Sequence, residues 1–153
     1  MKNLIKLLSV LFLCVIFNNS VKAQVSFDLD KEVDFTKYKT YSFAGWQENS
    51  DKLLNSVDKK RIQESFKSEF TIRDMDYLLG NADVVVSLYL VIDGGYKKKG
   101  TLVTEMFDVA ADKLIWRGVL KKKIKESSNK RGTTIPKSVS KIMKNYPISP
   151  SKK

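Results

Sequence analysis

The apolar and polar residues of this chain alternate before they do anything else. In residues 25–30, Val25, Phe27 and Leu29 fall on one face of an extended chain and Ser26, Asp28 and Asp30 on the other, the pattern of a half-buried strand. Residues 38–44 predict a second strand, with Tyr41 and Phe43 sharing a face. After a polar loop over 47–52 the period changes. Val57, Ile62, Phe66 and Phe70 form an apolar stripe near helical spacing, and Asn55 or Ser56 can cap it, so a helix is expected over 56–72. Residues 82–92 are apolar on both faces: Val84, Val86, Leu88, Leu90 and Ile92 on one, Val85, Tyr89 and Val91 on the other. A strand buried on both sides belongs in the middle of a sheet. Asp93-Gly94-Gly95 signals a turn. Residues 100–109 and 114–124 then predict a hairpin, followed by a polar loop over 125–133. A last helix is expected over 136–146, with Pro136 in its first turn and a stripe of Ile135, Val139, Ile142, Met143 and Tyr146. The order is β-β-α-β-β-β-α. Five strands and two helices around a mostly antiparallel sheet give an α+β two-layer sandwich.

The hairpin makes the sharpest predictions. With Ala111-Asp112 at its tip, Val109 opposes Leu114, Phe107 opposes Trp116, Glu105 opposes Gly118 and Val103 opposes Leu120. Phe107 and Trp116 then centre an apolar cross-strand ladder. Asp108 lies diagonal to Arg117, within reach of a structural ion pair. Glu105 shares the apolar side with Phe107 and Trp116, so either that side turns to solvent or a carboxylate is partly buried, and the exposed reading is the simpler one. The same register brings Lys98 near Lys125 and Gly100 near Lys123. Lys97, Lys98, Lys99, Lys121, Lys123 and Lys125 should therefore converge at one end of the hairpin as a candidate anion-binding cluster.

Charge sharpens that feature. The chain of 153 residues has a formal charge of +11, and the charge is unevenly spread. Residues 24–93 carry 9 Lys/Arg against 13 Asp/Glu, while residues 94–153 carry 16 against 4. A basic half raises nucleic acid as a partner, but no zinc finger, helix-turn-helix or aromatic RNA-binding strand is present, and the first segment argues against it. Residues 1–23 read as a secretory signal: Lys2 and Lys6 at the start, an apolar stretch from Leu7 to Phe17, then Val21 and Ala23 at the small-residue positions before Gln24. The stretch is shorter than the roughly 20 residues that a membrane-spanning helix needs. Cys14 sits inside it, after Leu13, rather than at its end after a small residue. It is read as one more small apolar residue and not as a lipid-modified cysteine. The expectation is an exported protein, soluble in the periplasm or outer envelope after cleavage before Gln24, with one domain over 24–148 and a frayed tail over 149–153. Anionic partners in that compartment are lipid headgroups, lipopolysaccharide phosphates and acidic polymers, so peripheral membrane contact belongs among the expectations and nucleic acid does not.

Candidate chemistry is sparse. There is no His, and Cys14 is the only Cys, which excludes Ser-His-Asp and Cys-His catalysis, His-ligated zinc and a haem held by His. Asp28, Asp30, Glu32 and Asp34 recur at every second position like the start of a calcium loop, but Val33 stands where glycine is required and Lys39 where a bidentate glutamate is required. They are read as a solvated strand face. No paired carboxylates with a glycosidase spacing can be read. No catalytic residue, metal or cofactor is assigned.

Several segments, taken in order, resemble a known family. These are Asp34-Phe35-Thr36-Lys37-Tyr38-Lys39-Thr40-Tyr41-Ser42-Phe43, then Ala82-Asp83-Val84-Val85-Val86, Gly100-Thr101-Leu102, Asp108, Leu114-Ile115-Trp116-Arg117-Gly118 and the closing Tyr146-Pro147. Together they are similar to domain-of-unknown-function family 4136. The resemblance implies a bacterial envelope protein with no established activity, from a family often lipid-anchored, and the Ala-Gln that ends the signal resembles those of the Bacteroidota. It implies no catalytic residues. The function expected is a non-catalytic binding or scaffolding domain acting on an envelope protein. A polyanion or lipid-headgroup binder using the lysine cluster is the alternative, and a carboxylate-based hydrolase the remaining one. Mass spectrometry of the protein recovered from the expressing bacterium should find Gln24 at the N-terminus and no acyl chain; diacylglycerol on Cys14 would overturn the soluble localisation and make the protein membrane-anchored.

Overall fold

The computed structural model describes residues 24–46, 54–93, 99–123 and 128–151. Among these residues, six strands and two helices follow in the order β1 (Gln24–Leu29), β2 (Thr40–Phe43), α1 (Ser56–Thr71), β3 (Asp76–Tyr77), β4 (Val84–Asp93), β5 (Lys99–Asp108), β6 (Lys113–Lys123) and α2 (Ser128–Met143), with a 3-10 turn over Phe35–Lys37 before β2. They form one mixed sheet in the order β1-β6-β5-β4-β2-β3. The α+β class stands. The sheet has a sixth strand, and it is not wholly antiparallel: β2 runs parallel to both β4 and β3. Two parallel strands cannot be joined by a tight turn, and the β2-to-β4 connection contains α1. The two residues of β3 are too few to show any alternation, so this strand left no sequence signal.

Both helices cover one face of the sheet. Val84, Val86, Leu88 and Leu90 of β4, Leu102 and Met106 of β5, and Trp116 and Leu120 of β6 pack there against Ile62, Phe66 and Phe70 of α1 and Val139, Ile142 and Met143 of α2. Tyr146, just past α2, meets Phe35, Phe70 and Trp116 edge-on at centroid distances of 5.8, 6.0 and 5.5 Å, a geometry that favours aromatic pairs beyond their burial.

The stripe of α1 begins one residue later than the sequence suggests. Val57 is 52% exposed and Asp58 is fully buried. Asn55 caps the helix by accepting from the Asp58 N–H at 2.8 Å. The Asp58 carboxylate meets Arg61 Nη1 at 3.1 Å and Arg131 Nε at 2.6 Å, the latter a contact of charges rather than an aligned hydrogen bond. Arg131 explains the second difference. Helix α2 starts at Ser128, not Pro136, and Pro136 lies inside it. The ion pair to α1 anchors the early turns, Gly132 lies against Arg61, and the Thr134 and Ser138 hydroxyls donate to the carbonyls four residues back. A long-range ion pair of this kind has no local signature.

The hairpin register differs by one residue. Met106 opposes Trp116, Glu105 opposes Arg117 and Val103 opposes Val119, and a bulge shifts the last pairs so that Phe107 opposes Leu114. Ile115 is the extra residue. The bulge lets Ile115 and Trp116 both face inward, each almost wholly buried, where strict alternation would expose one of them. Phe107 therefore leaves the Trp116 ladder for the opposite sheet face and is half-buried there.

Beyond α2 the chain remains tied. Arg73 is buried and donates to the carbonyls of Glu69, Met143 and Ile148, and the Ser151 N–H donates to the Ile72 carbonyl at 2.7 Å. The expected tail is thus held at Ser151.

Trp116→Ala should lower unfolding free energy by about 3–5 kcal/mol in urea denaturation. Gly118→Ala should also destabilise, by about 1–3 kcal/mol, because a Cβ there would lie 2.5 Å from Ile142 Cγ2 and 2.6 Å from the Trp116 ring. A wild-type midpoint in either variant would place the core elsewhere.

Candidate functional site

Three of the sequence motifs meet at one corner of the sheet. Asp34 caps the 3-10 turn, accepting from the Thr36 N–H at 2.9 Å and the Thr36 hydroxyl at 2.6 Å. The turn presents Lys37 and Tyr38 to Asp108 at the end of β5. One Asp108 oxygen accepts from the Tyr38 hydroxyl at 2.7 Å and Lys37 Nζ at 3.1 Å. The other accepts from the backbone N–H groups of Ala110 and Ala111 at 2.9 and 3.0 Å. Asp83, just before β4, accepts from the Lys39 and Thr40 N–H groups, both at 2.8 Å, and its carbonyl accepts from the Val109 N–H at 3.1 Å. A hollow of about 350 Å³ lies between them, lined by Lys37, Tyr38, Asn81, Asp83, Asp108 and Val109 among others.

The electrostatics of this corner are structural. The Tyr38 hydroxyl first, then the Ala111 N–H and the Lys37 ammonium, hold the Asp108 carboxyl well below the usual carboxylate range, against the opposing effect of burial. The Lys39 and Thr40 N–H groups lower Asp83 in the same way. Burial and then Asp108 push the Tyr38 phenol up. A carboxylate held ionised has no proton to donate near neutrality, and one of lowered basicity with both oxygens occupied by donors is a poor proton acceptor, so this group suits a latch.

The Asp108–Arg117 ion pair expected from sequence is not formed. Asp108 faces the helix-covered side and pairs with Lys37. Arg117 lies on the other side, where Nε is 3.2 Å from Glu105 Oε1. The one-residue register shift is the cause, since it sets Arg117 opposite Glu105. Tyr89 completes the group, donating to Glu105 Oε1 at 2.8 Å and accepting from Arg117 Nη2 at 3.3 Å. Burial and the neighbouring Glu105 raise the Tyr89 phenol. Glu105 is neither freely exposed nor buried among apolar groups; its side chain is 16% exposed beneath these two partners. Around this network Val85, Phe107 and Val119 are half-buried and Val91 is 48% exposed. Among the described residues no helix covers this sheet face; with its polar centre and apolar surround, this helix-free face is the candidate binding surface. The sequence shows Tyr89 only as an apolar residue of β4, because its partners lie on two other strands.

Of the lysine cluster, Lys97, Lys98 and Lys125 lie outside the described residues. Lys99 opposes Lys123, and Lys121 opposes Thr101, at one end of the β5–β6 pair. The acidic row does not persist as a strand face, because β1 ends at Leu29. Asp30 instead accepts from the Glu32 N–H at 3.0 Å and pairs with Lys113, while Asp34 serves as the cap described above.

Fold and site together define an α+β domain with one helix-covered and one helix-free sheet face, and with its recurrent polar residues spent on holding a corner. The sequence profile described as Domain of unknown function (DUF4136) matches residues 25–148, and the chain belongs to that family. No curated protein matches the sequence. Among solved structures, a PDZ domain protein from Parabacteroides distasonis superposes with a TM-score of 0.60 at 13% identity over 84% of this chain, which spans only 36% of that protein. The PelC dodecamer from Paraburkholderia phytofirmans is similar with a TM-score of 0.50 at 12% identity, covering 79% of this chain and 94% of the PelC chain. Likenesses at this identity concern the fold. Among the described residues no helix is long and apolar enough to cross a membrane.

The corner makes stability pH-dependent with a definite sign. An unfolded aspartate titrates near pH 3.9, whereas folded Asp108 stays ionised well below that. As pH falls the unfolded chain takes up the proton first. The stabilisation is therefore complete above about pH 5 and is lost progressively in acid. Denaturation midpoints measured from neutral pH down to about pH 3 should fall for the wild type and fall less steeply for Asp108→Asn. Tyr38→Phe should cost about 1.5–3 kcal/mol at neutral pH, as expected for a hydrogen bond to a charged group.

Proposed function

We propose that this protein is an exported cell-envelope component that works as a non-catalytic binding or scaffolding domain, with the helix-free sheet face as its working surface. The observation that carries the reading is the division of the two faces. The corner carboxylates are committed to backbone and phenol donors, while the opposite face presents Val85, Val91, Phe107 and Val119 around the Tyr89–Glu105–Arg117 network. Apolar side chains grouped on an exposed face mark an interaction surface, and the tyrosine, phenylalanine and arginine among them are residue types enriched where proteins meet. Family membership and the signal-like residues 1–23 support an envelope location, and the dodecamer formed by PelC in the same fold supports a scaffolding role.

The test is site-specific photo-crosslinking in the living bacterium. A crosslinker at position 91, 107 or 119 should give a discrete adduct, and one at Ser140 on the helix side should not. Adducts of equal yield from both sides, or from neither, would remove this surface from consideration.

A second reading is favoured by the register that sets Lys99 opposite Lys123 with Lys121 nearby on the same strand: a binder of polyanions or lipid headgroups. It requires binding to anionic vesicles that weakens steeply between low and physiological salt. Binding retained in a Lys97/Lys98/Lys99→Glu variant would exclude it.

A further inference from the structure

Strand β1 forms one edge of the sheet, and among the described residues no strand pairs with its far side. At six residues it is the longer of the two edges, β3 having two. One hydrogen bond fixes which of its backbone groups face outward. The Asp30 N–H donates to the Ile115 carbonyl at 3.0 Å, which makes Asp30–Ile115 a hydrogen-bonded pair of the antiparallel ladder with β6. The register carries the same phase back through Asp28–Arg117, Ser26–Val119 and Gln24–Lys121. Even-numbered residues thus direct their N–H and C=O groups to β6. Those of Val25, Phe27 and Leu29 point to the free edge.

The side chains on this edge are unusual for an unpaired strand. Residues 24–29 include no proline or lysine, and their pairing with β6 has no bulge, three of the devices that protect an edge; the one charged side chain, Asp28, stands opposite Arg117 of β6. Val25 and Leu29 pack against the core on the helix-covered face, whereas Phe27 between them is 51% exposed.

We propose that two copies of this chain pair β1 against β1, antiparallel about a two-fold axis through Phe27, so that two six-stranded sheets become one of twelve strands. This register sets Phe27 opposite Phe27 of the second copy, and Val25 opposite Leu29 in both directions. All three pairs use the outward backbone groups, giving six inter-chain hydrogen bonds, two per pair. The faces match, so the apolar side of one sheet continues into the other and covers Phe27. On the helix-free face Ser26 opposes Asp28, a pair that can hydrogen-bond. Moving the axis to Asp28 sets two carboxylates face to face, moving it to Ser26 loses a hydrogen-bonded pair within the strand, and any one-residue slip inverts the faces. Helix α2 lies over β6, with Ile142 against Gly118. The two α2 helices of such a dimer therefore stand about three strand spacings, or about 14 Å, apart. That exceeds the 8–10 Å of directly packed helices and leaves room for the two Phe27 rings. The self-complementary register is what selects a second copy over a strand from another protein.

The test uses the protein as the expressing bacterium processes it, in a Cys14→Ser background. Sedimentation equilibrium should show a reversible dimer at concentrations up to the millimolar range. Phe27→Lys places like charges on the axis and should raise the dimer dissociation constant about tenfold or more, while leaving the circular dichroism spectrum and melting curve of the monomer unchanged because the side chain is half exposed. Phe27→Cys should oxidise to a disulfide-linked dimer, since Cα atoms of a hydrogen-bonded pair lie about 5.5 Å apart. Asp28→Cys should not, its copies being a diagonal of about 7–8 Å apart. A monomer at every concentration, a Phe27→Lys variant that associates like the wild type, or Asp28→Cys cross-linking as readily as Phe27→Cys overturns the proposal.

Discussion

The Asp108 carboxylate is the polar group on which the arrangement of the sheet turns. It receives the Tyr38 hydroxyl and the Lys37 ammonium from the segment before β2, and the Ala110 and Ala111 N–H groups from the hairpin that follows it. Those partners stand about 70 residues away in one direction and two or three in the other. The same corner holds Asp83, whose side chain caps the start of β2 and whose carbonyl takes the Val109 N–H. Strand β2 needs such ties. It enters the sheet parallel to β4, with no hairpin to set its register, and two carboxylates at its entry do what a turn does elsewhere. That accounts for aspartates among the family-like segments without giving either a chemical step.

A second convergence closes the other layer. Tyr146 brings together the 3-10 turn through Phe35, helix α1 through Phe70 and strand β6 through Trp116. Arg73 then fastens the end of α1 to the end of α2 and the chain beyond it through the Met143 and Ile148 carbonyls. A buried guanidinium is tolerated because its donors are satisfied and Glu69 balances its charge at 2.7 Å. With these two devices α1, α2 and the chain that follows α2 are held together, while the opposite sheet face keeps its apolar groups partly exposed. The half-buried apolar groups around the Tyr89–Glu105–Arg117 network, and an edge strand that no other described strand covers, are the two features on which the proposed contacts with other chains rest.

Much of this was legible along the chain. Alternation placed β1, β2, β4, β5 and β6 to within a few residues, the stripe and its Asn55 cap placed α1, and the stripe ending in Tyr146 marked the buried face of α2. These features depend on neighbours within a few residues, and so the α+β class and the burial of Trp116 follow from local pattern. The absence of His and the split of charge are likewise properties of the sequence alone.

What the sequence could not decide is whatever depends on contacts across the fold. The bulge at Ile115 is a packing solution that turns two successive apolar residues inward, and that single residue moved Phe107 to the other face, took Arg117 from Asp108 and gave it to Glu105. The early turns of α2 depend on Arg131 meeting Asp58, and β3 on an edge offered by β2. Pattern reports which face a residue prefers relative to its neighbours. It carries no information on which strand, charge or helix end will be opposite, because that is fixed only when distant segments close on one another and their polar groups must all find partners.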